Sequence, residues 1–173
     1  MEVRSSESSV YRVRVVEDGD LPAIADIYND VVVNSTATFD LEPWTPEGQQ
    51  RWLGEHRHPY AVLVAEQADE VVGWASLGSY RSKEAYRFTA EDSVYVRSDM
   101  QKGGIGALLL ARLLEAAAEN GFRTVIARIA EPNPASVRLH RRFGFRRVGV
   151  EREVGRKFGR WLDVVVMQKA LAE

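Results

Sequence analysis

The chain contains no cysteine. That excludes disulfides, thiolate metal sites and a cysteine nucleophile, and it fits a reducing compartment. Histidine is scarce, with only His56, His58 and His140, and no metal-ligand spacing links them. No run approaches the roughly 18 apolar residues of a membrane-spanning helix. The serine-rich residues 1–9 lack the apolar stretch of a secretory signal. Charge imbalance is also small: 23 Lys and Arg face 25 Asp and Glu, a net charge of −2. Neither nucleic acid nor an anionic membrane is expected as a partner. The 173 residues suffice for one domain with a substantial core. Residues 1–9 read as a flexible N-terminus, residues 10–173 as one domain, and the cytoplasm as its place.

What is present centres on one stretch. Ser93-Val94-Tyr95-Val96 is β-branched and aromatic, as a strand requires. A short polar loop leads into Gln101-Lys102-Gly103-Gly104-Ile105-Gly106-Ala107, with three glycines in four positions. Apolar residues at Ile105, Leu108, Leu109, Leu113 and Ala116 then follow helical spacing. Strand, glycine turn and helix together aim free backbone N–H groups and a helix dipole at one point, where an anion binds. Glycine lets the backbone approach a phosphate closely. No Lys-Ser or Lys-Thr follows, so this is not a P-loop, and the dinucleotide spacing is not met either. A pyrophosphate cradle and a plain glycine-rich turn both remain open on this stretch alone.

Taken in order, residues 10–16 read as a strand, and Asp18 or Asp20 can cap a helix with Pro22 in its first turn. That helix carries Leu21, Ile24, Ile27, Tyr28 and Val31 on one face, and a polar loop follows at 34–39. Thr45-Pro46 opens a second helix reaching about His56. Residues 61–66 and 71–77 form a hairpin, 78–87 a basic and aromatic loop, and 89–96 the next strand. The long helix ends at Gly121, a strand covers 124–130, and a helix runs from about Ala135 to Arg142. Residues 145–154 and 161–171 close the chain as a strand pair joined around 155–160. The order β-α-α-β-β-β-α-β-α-β-β predicts an α/β (α+β) fold, a mixed sheet of about seven strands flanked by about four helices.

Two motifs in this order carry a resemblance. Gln101-x-x-Gly104-x-Gly106 resembles the coenzyme A pyrophosphate loop of the Gcn5-related N-acetyltransferase (GNAT) family. Asn133-x-x-Ser136-x-x-Leu139-His140-x-x-Phe143-Gly144-Phe145 is similar to the family's second signature. Within the family, Tyr86, Thr89-Ala90-Glu91-Asp92-Ser93-Val94-Tyr95-Val96 and Gly159-Arg160-Trp161-Leu162-Asp163-Val164 look most like the phosphinothricin/methionine sulfoximine acetyltransferase branch. The resemblance spans roughly residues 10–171. It implies the GNAT fold, acetyl-CoA as co-substrate without a metal, a small amino-acid analogue as amine substrate, a resistance function and a homodimer.

The same resemblance distributes roles. The backbone of Gln101 to Ala107 would hold the cofactor phosphates; Val94, Tyr95 and Val96 would bind the pantetheine arm and thioester, with Asn133 and Ser136 beside them. Asn133 also suits a helix cap next to Pro134, and the two uses are compatible. Glu91 is the candidate general base, since a partly desolvated carboxylate accepts a proton better near neutrality. An ion pair with Arg87 or Arg97 is its alternative. Asp92 points the other way on a strand and ranks lower. His140 stands where the wider family has a tyrosine; it can donate a proton to the leaving sulfur or simply pack. Phe39, Arg81, Ser82, Lys83 and Tyr86, with Glu91, Asp92 and Ser93, form the candidate substrate site, in which Arg81 or Lys83 would grip an acid group. His56 and His58 are expected in solvent. The rival readings are acetylation of protein N-termini or polyamines, a non-catalytic acyl-CoA sensor, and a nucleotide-binding domain.

Overall fold

The computed structural model describes residues 11–171; the segment 1–9 lies outside them. The chain runs β1 (Arg12–Val15), α1 (Leu21–Asn34), α2 (Pro46–Glu55), β2 (Val62–Gln67), β3 (Glu70–Ser79), β4 (Thr89–Val96), α3 (Ile105–Glu119), β5 (Thr124–Ala130), α4 (Pro134–Arg142), β6 (Arg146–Lys157) and β7 (Arg160–Ala170). All seven strands form one sheet in the order β1-β2-β3-β4-β5-β7-β6. The expected fold class holds.

Local chemistry explains most boundaries. β2 and β3 are joined by Ala68 and Asp69, both at positive φ (47° and 64°), the backbone that matches the twist of a tight hairpin. Thr45 caps α2 by accepting the Gly48 N–H at 3.2 Å, with Pro46 next in the helix. Gly121, at φ +84°, ends α3. Asp20 departs from its expected capping use. Its carboxylate instead takes two hydrogen bonds from Arg14, at 2.7 and 2.9 Å, and one from the Glu17 N–H. α1 buries Val32 where Val31 was expected. The closing hairpin also departs: β6 and β7 continue to Lys157 and Arg160, leaving only Phe158 and Gly159 as the turn. Both have positive φ (49° and 74°), and a register shift between Glu151 and Gly155 absorbs the extra residues.

Each face of the sheet carries its own core. α3 buries Ile105, Leu109, Leu110, Leu113 and Ala117 against Ala75, Leu77, Val125 and Met167. On the other face α1 packs Ile24, Ile27, Tyr28 and Val32 against Val64 and Trp74. Strand alternation therefore sends Trp74 to the α1 side and Ala75 and Leu77 to the α3 side.

One pairing sets the shape of everything above it. Among the described residues β4 and β5 are the only parallel neighbours, and their ladder holds just three positions: Thr89 opposite Thr124, Ala90 opposite Val125, Glu91 opposite Ile126. Beyond Glu91, β4 stays paired with β3 as far as Val96, while β5 follows β7 as far as Ala130. The sheet forks there.

α3 is seated tightly beside this fork. A methyl group on Gly73 would stand 3.0 Å from the Tyr95 carbonyl oxygen and 3.2 Å from Ile105 and Leu109. The carbonyl belongs to β4 and cannot swing aside. Gly73→Ala should therefore lower the urea midpoint at unchanged slope, by the equivalent of about 1–3 kcal/mol of overpacking strain. An unchanged midpoint would show that α3 is less closely docked.

Candidate active site

The glycine stretch forms the mouth of the fork. Lys102 (φ 70°) and Gly104 (φ 84°) both take left-handed backbone, and Gly104 is the N-cap of α3. The first intrahelical bond runs from the Leu108 N–H to the Gly104 carbonyl, 3.1 Å. The N–H groups of Ile105, Gly106 and Ala107 therefore precede the helical ladder and point out of the helix end, as an anion site requires. Gly106 lies at the base of the fork. A methyl there would meet Leu139 at 3.5 Å, Val96 at 3.8 Å and Val94 at 4.0 Å. These are ordinary contacts, so the protein's own packing does not demand glycine; a bound chain passing close to the backbone would.

A cleft of about 760 Å³ opens from the fork. Its walls include residues 91–96 of β4, Gln101, residues 127–130 of β5, and Asn133, Ser136 and His140 around α4. Residues 34–40, running on from the last residue of α1, close the remaining side. Phe39, Glu91, Asp92, Ser93, Val94, Tyr95, Val96, Gln101, Asn133, Ser136 and His140 thus converge on one space. Asn133 caps α4, its Oδ1 accepting the Ser136 N–H at 3.1 Å.

The two neighbouring acids of β4 have opposite surroundings. Glu91 is half-buried, and burial pushes its carboxyl above the usual glutamate range. Arg128 pulls the other way, while Asp92 and Glu151 add to the rise. Neither suggested partner reaches Glu91: Arg87 pairs with Glu84, and Arg97 with Glu70 and Asp99. Arg128 itself hydrogen-bonds Glu151. Asp92 projects from the other face of β4 and is 7% exposed. Its Oδ2 lies 2.8 Å from Nε2 of His140, and its Oδ1 is buried without a hydrogen-bond partner among the described residues.

His140 is 4% exposed, with Nδ1 2.8 Å from the Ser136 carbonyl oxygen. The carbonyl can only accept, so Nδ1 donates; Nε2 facing a carboxylate donates as well. Burial alone would lower the affinity of this ring for its proton. The Asp92 carboxylate, with help from the Ser136 carbonyl, outweighs it and holds His140 above the ordinary histidine value.

The remaining substrate candidates lie apart from this centre. Arg81 is exposed and stacks on Tyr80 (4.9 Å) and Tyr86 (5.5 Å), and Ser82 and Lys83 are exposed in the same loop. Phe39 leans on the closing hairpin: a methyl on Gly155 would come within 2.2 Å of its ring. Several residues of this region are not evident in the sequence. The Tyr28 hydroxyl lies 2.8 Å from Thr38 Oγ1 and 2.8 Å from Asp40 Oδ2. Buried Lys157 donates to the Thr38 carbonyl at 2.9 Å, and burial lowers its pKa while Asp40 opposes that. Nothing in the local pattern around Lys157 marks it, since its partner is 119 positions away.

The raised pKa of His140 links stability to pH. A proton held more tightly in the folded chain stabilises fully below the unfolded histidine value of about 6.5, and this contribution disappears as pH rises through the raised value. Wild-type urea midpoints should fall across that window. Asp92→Asn should flatten the fall and lower the midpoint at about pH 6 by the equivalent of about 1.5–3 kcal/mol, the worth of a hydrogen bond to a charged group. Parallel wild-type and mutant pH curves would remove the ion pair from the account.

Residues 13–166 match the model of the acetyltransferase (GNAT) domain. The chain is 45% identical over 164 residues to phosphinothricin N-acetyltransferase of Streptomyces coelicolor, covering 92% of this chain and 96% of that protein. It is 46% identical over 151 residues to L-methionine sulfoximine/L-methionine sulfone acetyltransferase of Pseudomonas aeruginosa, covering 86% and 88%. Among solved structures, yncA of Salmonella typhimurium, a putative acetyltransferase with its cofactor acetyl-CoA, superposes with a TM-score of 0.91. It is 37% identical and covers 94% of this chain and 95% of that one. With its forked sheet, glycine-capped α3 and both sequence motifs in place, the chain belongs to the GNAT acetyltransferase family.

Proposed function

We propose that this protein acetylates the α-amine of a small amino acid or analogue, of the kind of methionine sulfoximine, methionine sulfone or phosphinothricin, by direct attack of the neutral amine in a ternary complex. The observation that carries this reading is the position of Glu91 at the last paired residue of the fork, bordering the cleft with its carboxyl pushed up by burial. Acetyl-CoA supplies the activated acetyl thioester. The N–H groups of Ile105, Gly106 and Ala107, with the loop from Gln101 to Gly104, would hold its pyrophosphate. The free edge of β4 at Val94, Tyr95 and Val96, together with Asn133 and Ser136, would hold the pantetheine arm.

Glu91 takes the proton from the substrate ammonium. Its raised pKa narrows the gap between carboxylate and amine and makes it a better base near neutral pH. His140, kept protonated by Asp92 at the edge of the cleft, gives a proton to the departing thiolate and regains one from the nitrogen of the tetrahedral adduct, so the second amine proton ends on the thiol. An acylated cysteine has no place in the scheme, since the sequence has none. Phe39 would shape the amine pocket; Arg81, Ser82, Lys83 and Tyr86, outside the cleft in the loop after β3, would meet the substrate acid only if that loop folded over it, and Ser93 would line the route between them. The named activities of the two relatives support this substrate class. We place the enzyme in the cytoplasm as a homodimer that confers resistance to such analogues. Exposed Val148, Val154, Phe158 and Trp161 on the closing hairpin support a protein contact. Among the described residues no helix is long and apolar enough to cross a membrane.

Thiol release from acetyl-CoA with a panel of amines tests the proposal. Methionine sulfoximine and phosphinothricin should turn over fastest; a preference for spermidine or an N-terminal peptide would overturn the substrate class, and coenzyme A binding without turnover would indicate a sensor. Glu91→Gln should lower kcat by roughly 10²–10⁴, as for a general base, with KM for acetyl-CoA unchanged. Wild-type kcat/KM should rise with pH through the raised titration of Glu91. Gly155→Ala, which drives a methyl into the Phe39 ring, should raise the amine KM several-fold and leave that for acetyl-CoA alone. Equal changes in both would mean that Phe39 does not serve the amine.

A further inference from the structure

Glu91 borders two spaces. Besides the cleft at the fork, it lines a cavity of about 330 Å³ on the α2 side of the sheet. The register of β3 and β4 places Gly78 opposite Glu91, Ser76 opposite Ser93 and Trp74 opposite Tyr95. All six residues border this second cavity, and the end of α2 covers it with Trp52 and His56. His56 is therefore not the solvated histidine expected from its polar surroundings. It is half-buried and packs on the Trp52 ring, centroids 4.5 Å apart, with Nδ1 2.7 Å from the Trp52 carbonyl oxygen.

That hydrogen bond fixes the tautomer. The carbonyl only accepts, so Nδ1 carries the hydrogen and Nε2 of the neutral ring presents a lone pair. Nε2 stands 3.3 Å from the point a methyl on Gly78 would occupy. Gly78 faces Glu91 across the ladder, where side-chain origins are about 4.5–5.5 Å apart. Water in the cavity would have to bridge the remaining distance to the carboxyl. A separate feature suits this cavity to water. The indole N–H of Trp74, 1% exposed, has no acceptor among the described residues, and buried donors are normally satisfied. The cavity is large enough for several waters and offers them Ser76, Ser79, Ser93 and Asp40 as further partners.

We infer that His56 is the proton acceptor that regenerates Glu91: the proton taken from the substrate ammonium leaves the Glu91 carboxyl through water in the α2-side cavity, binds Nε2 of His56, and passes from the imidazolium to bulk water or buffer. Glu91 returns to carboxylate and His56 to its neutral tautomer, so each turnover moves one proton out and leaves both groups unchanged. Burial sets the two acid strengths closer together. It lowers His56, against the opposing Trp52 carbonyl and Glu55, and it raises Glu91. The titratable groups facing the cavity are Tyr28 from α1, Asp40 from the following loop, His56 from the end of α2, and Glu91 and Tyr95 from β4. Tyr28 and Tyr95 are both held protonated by burial, which leaves His56 as the neutral base among them.

The inference rests on Glu91 as general base, and the test separates the two. His56→Asn keeps an N–H near the position of Nδ1 while removing Nε2. It should lower kcat by about ten- to a hundredfold, at or below the smaller general acid–base contributions, with KM for acetyl-CoA unchanged. The loss should shrink as pH rises, and imidazole added as buffer should restore kcat in proportion to its concentration. Should that variant fail to fold, His56→Gln must show the same loss and the same rescue. Wild-type kcat at every pH, or a loss that imidazole does not relieve, overturns the relay. Glu91→Gln is measured alongside: if it is inactive while His56→Asn behaves as wild type, only the relay fails; if it retains full activity, the base and the relay fail together.

Discussion

A parallel pair of strands ordinarily shares its ladder to the end, and here it stops after three positions. β3 on one side and β7 on the other keep hold of the diverging strands, so the fork is held open by two intact antiparallel ladders. Backbone groups on its inner edges then lack the partners a sheet would give them, and an unpaired N–H or C=O away from water is costly. An extended ligand with amides of its own can supply them. The helices α3 and α4 frame the opening because they follow β4 and β5 directly. Their N-termini therefore meet at its rim, one capped by Gly104 in left-handed backbone and the other by the Asn133 side chain.

The alternation of β4 separates two acids that are adjacent in sequence. Glu91 faces the α2 side, where burial outweighs the opposing charge of Arg128, so its proton affinity rises. Asp92 faces α4, where the His140 ring gives it a charged partner 2.8 Å away. One acid is poised to gain and lose a proton; the other is committed to an ion pair. The proposed function gives the two acids different work, Glu91 as the base and Asp92 as the partner of His140. The division follows from the two-residue repeat of a strand. A one-residue slip in the register of β4 would exchange the two roles.

How much of this was legible in the sequence depends on how local each cause is. The bounds of β4 and β5 and the glycine loop are written in consecutive residues, and the structure places them where the sequence does. α1 was misjudged by one buried valine and the last hairpin by its turn length, because Phe158 and a register shift after Glu151 do what a longer loop was expected to do. The contacts that tune the site are of another kind. Asp92 meets His140 across 48 residues, and Lys157 meets Thr38 across 119. No periodicity records such pairs. Arg81 shows the same limit: its position in a basic loop is plain in the sequence, but the stacking of its guanidinium on Tyr80 and Tyr86 is not. His56 likewise looks solvated in a polar segment, until the fold lays α2 over Gly78 and brings the ring down on the strand.

This contrast bears on what a GNAT chain can reveal about its chemistry. The glycine loop proposed for the cofactor phosphates is one loop and one helix start, so a short motif suffices to specify it. Under the proposed function the amine end would draw on residues 34–40, the loop after β3 and the closing hairpin, three segments from different parts of the sequence. Phe39 rests on Gly155, and the carbonyl of Thr38 is held by Lys157. A change at the hairpin can therefore move the wall of the amine pocket without touching the cofactor side. Single-pocket contacts are worth enough to change substrate preference by orders of magnitude, and here such contacts depend on the packing of segments more than a hundred residues apart. On the proposed reading, the acyl-donor end follows from a local motif, whereas the acceptor end follows from tertiary packing.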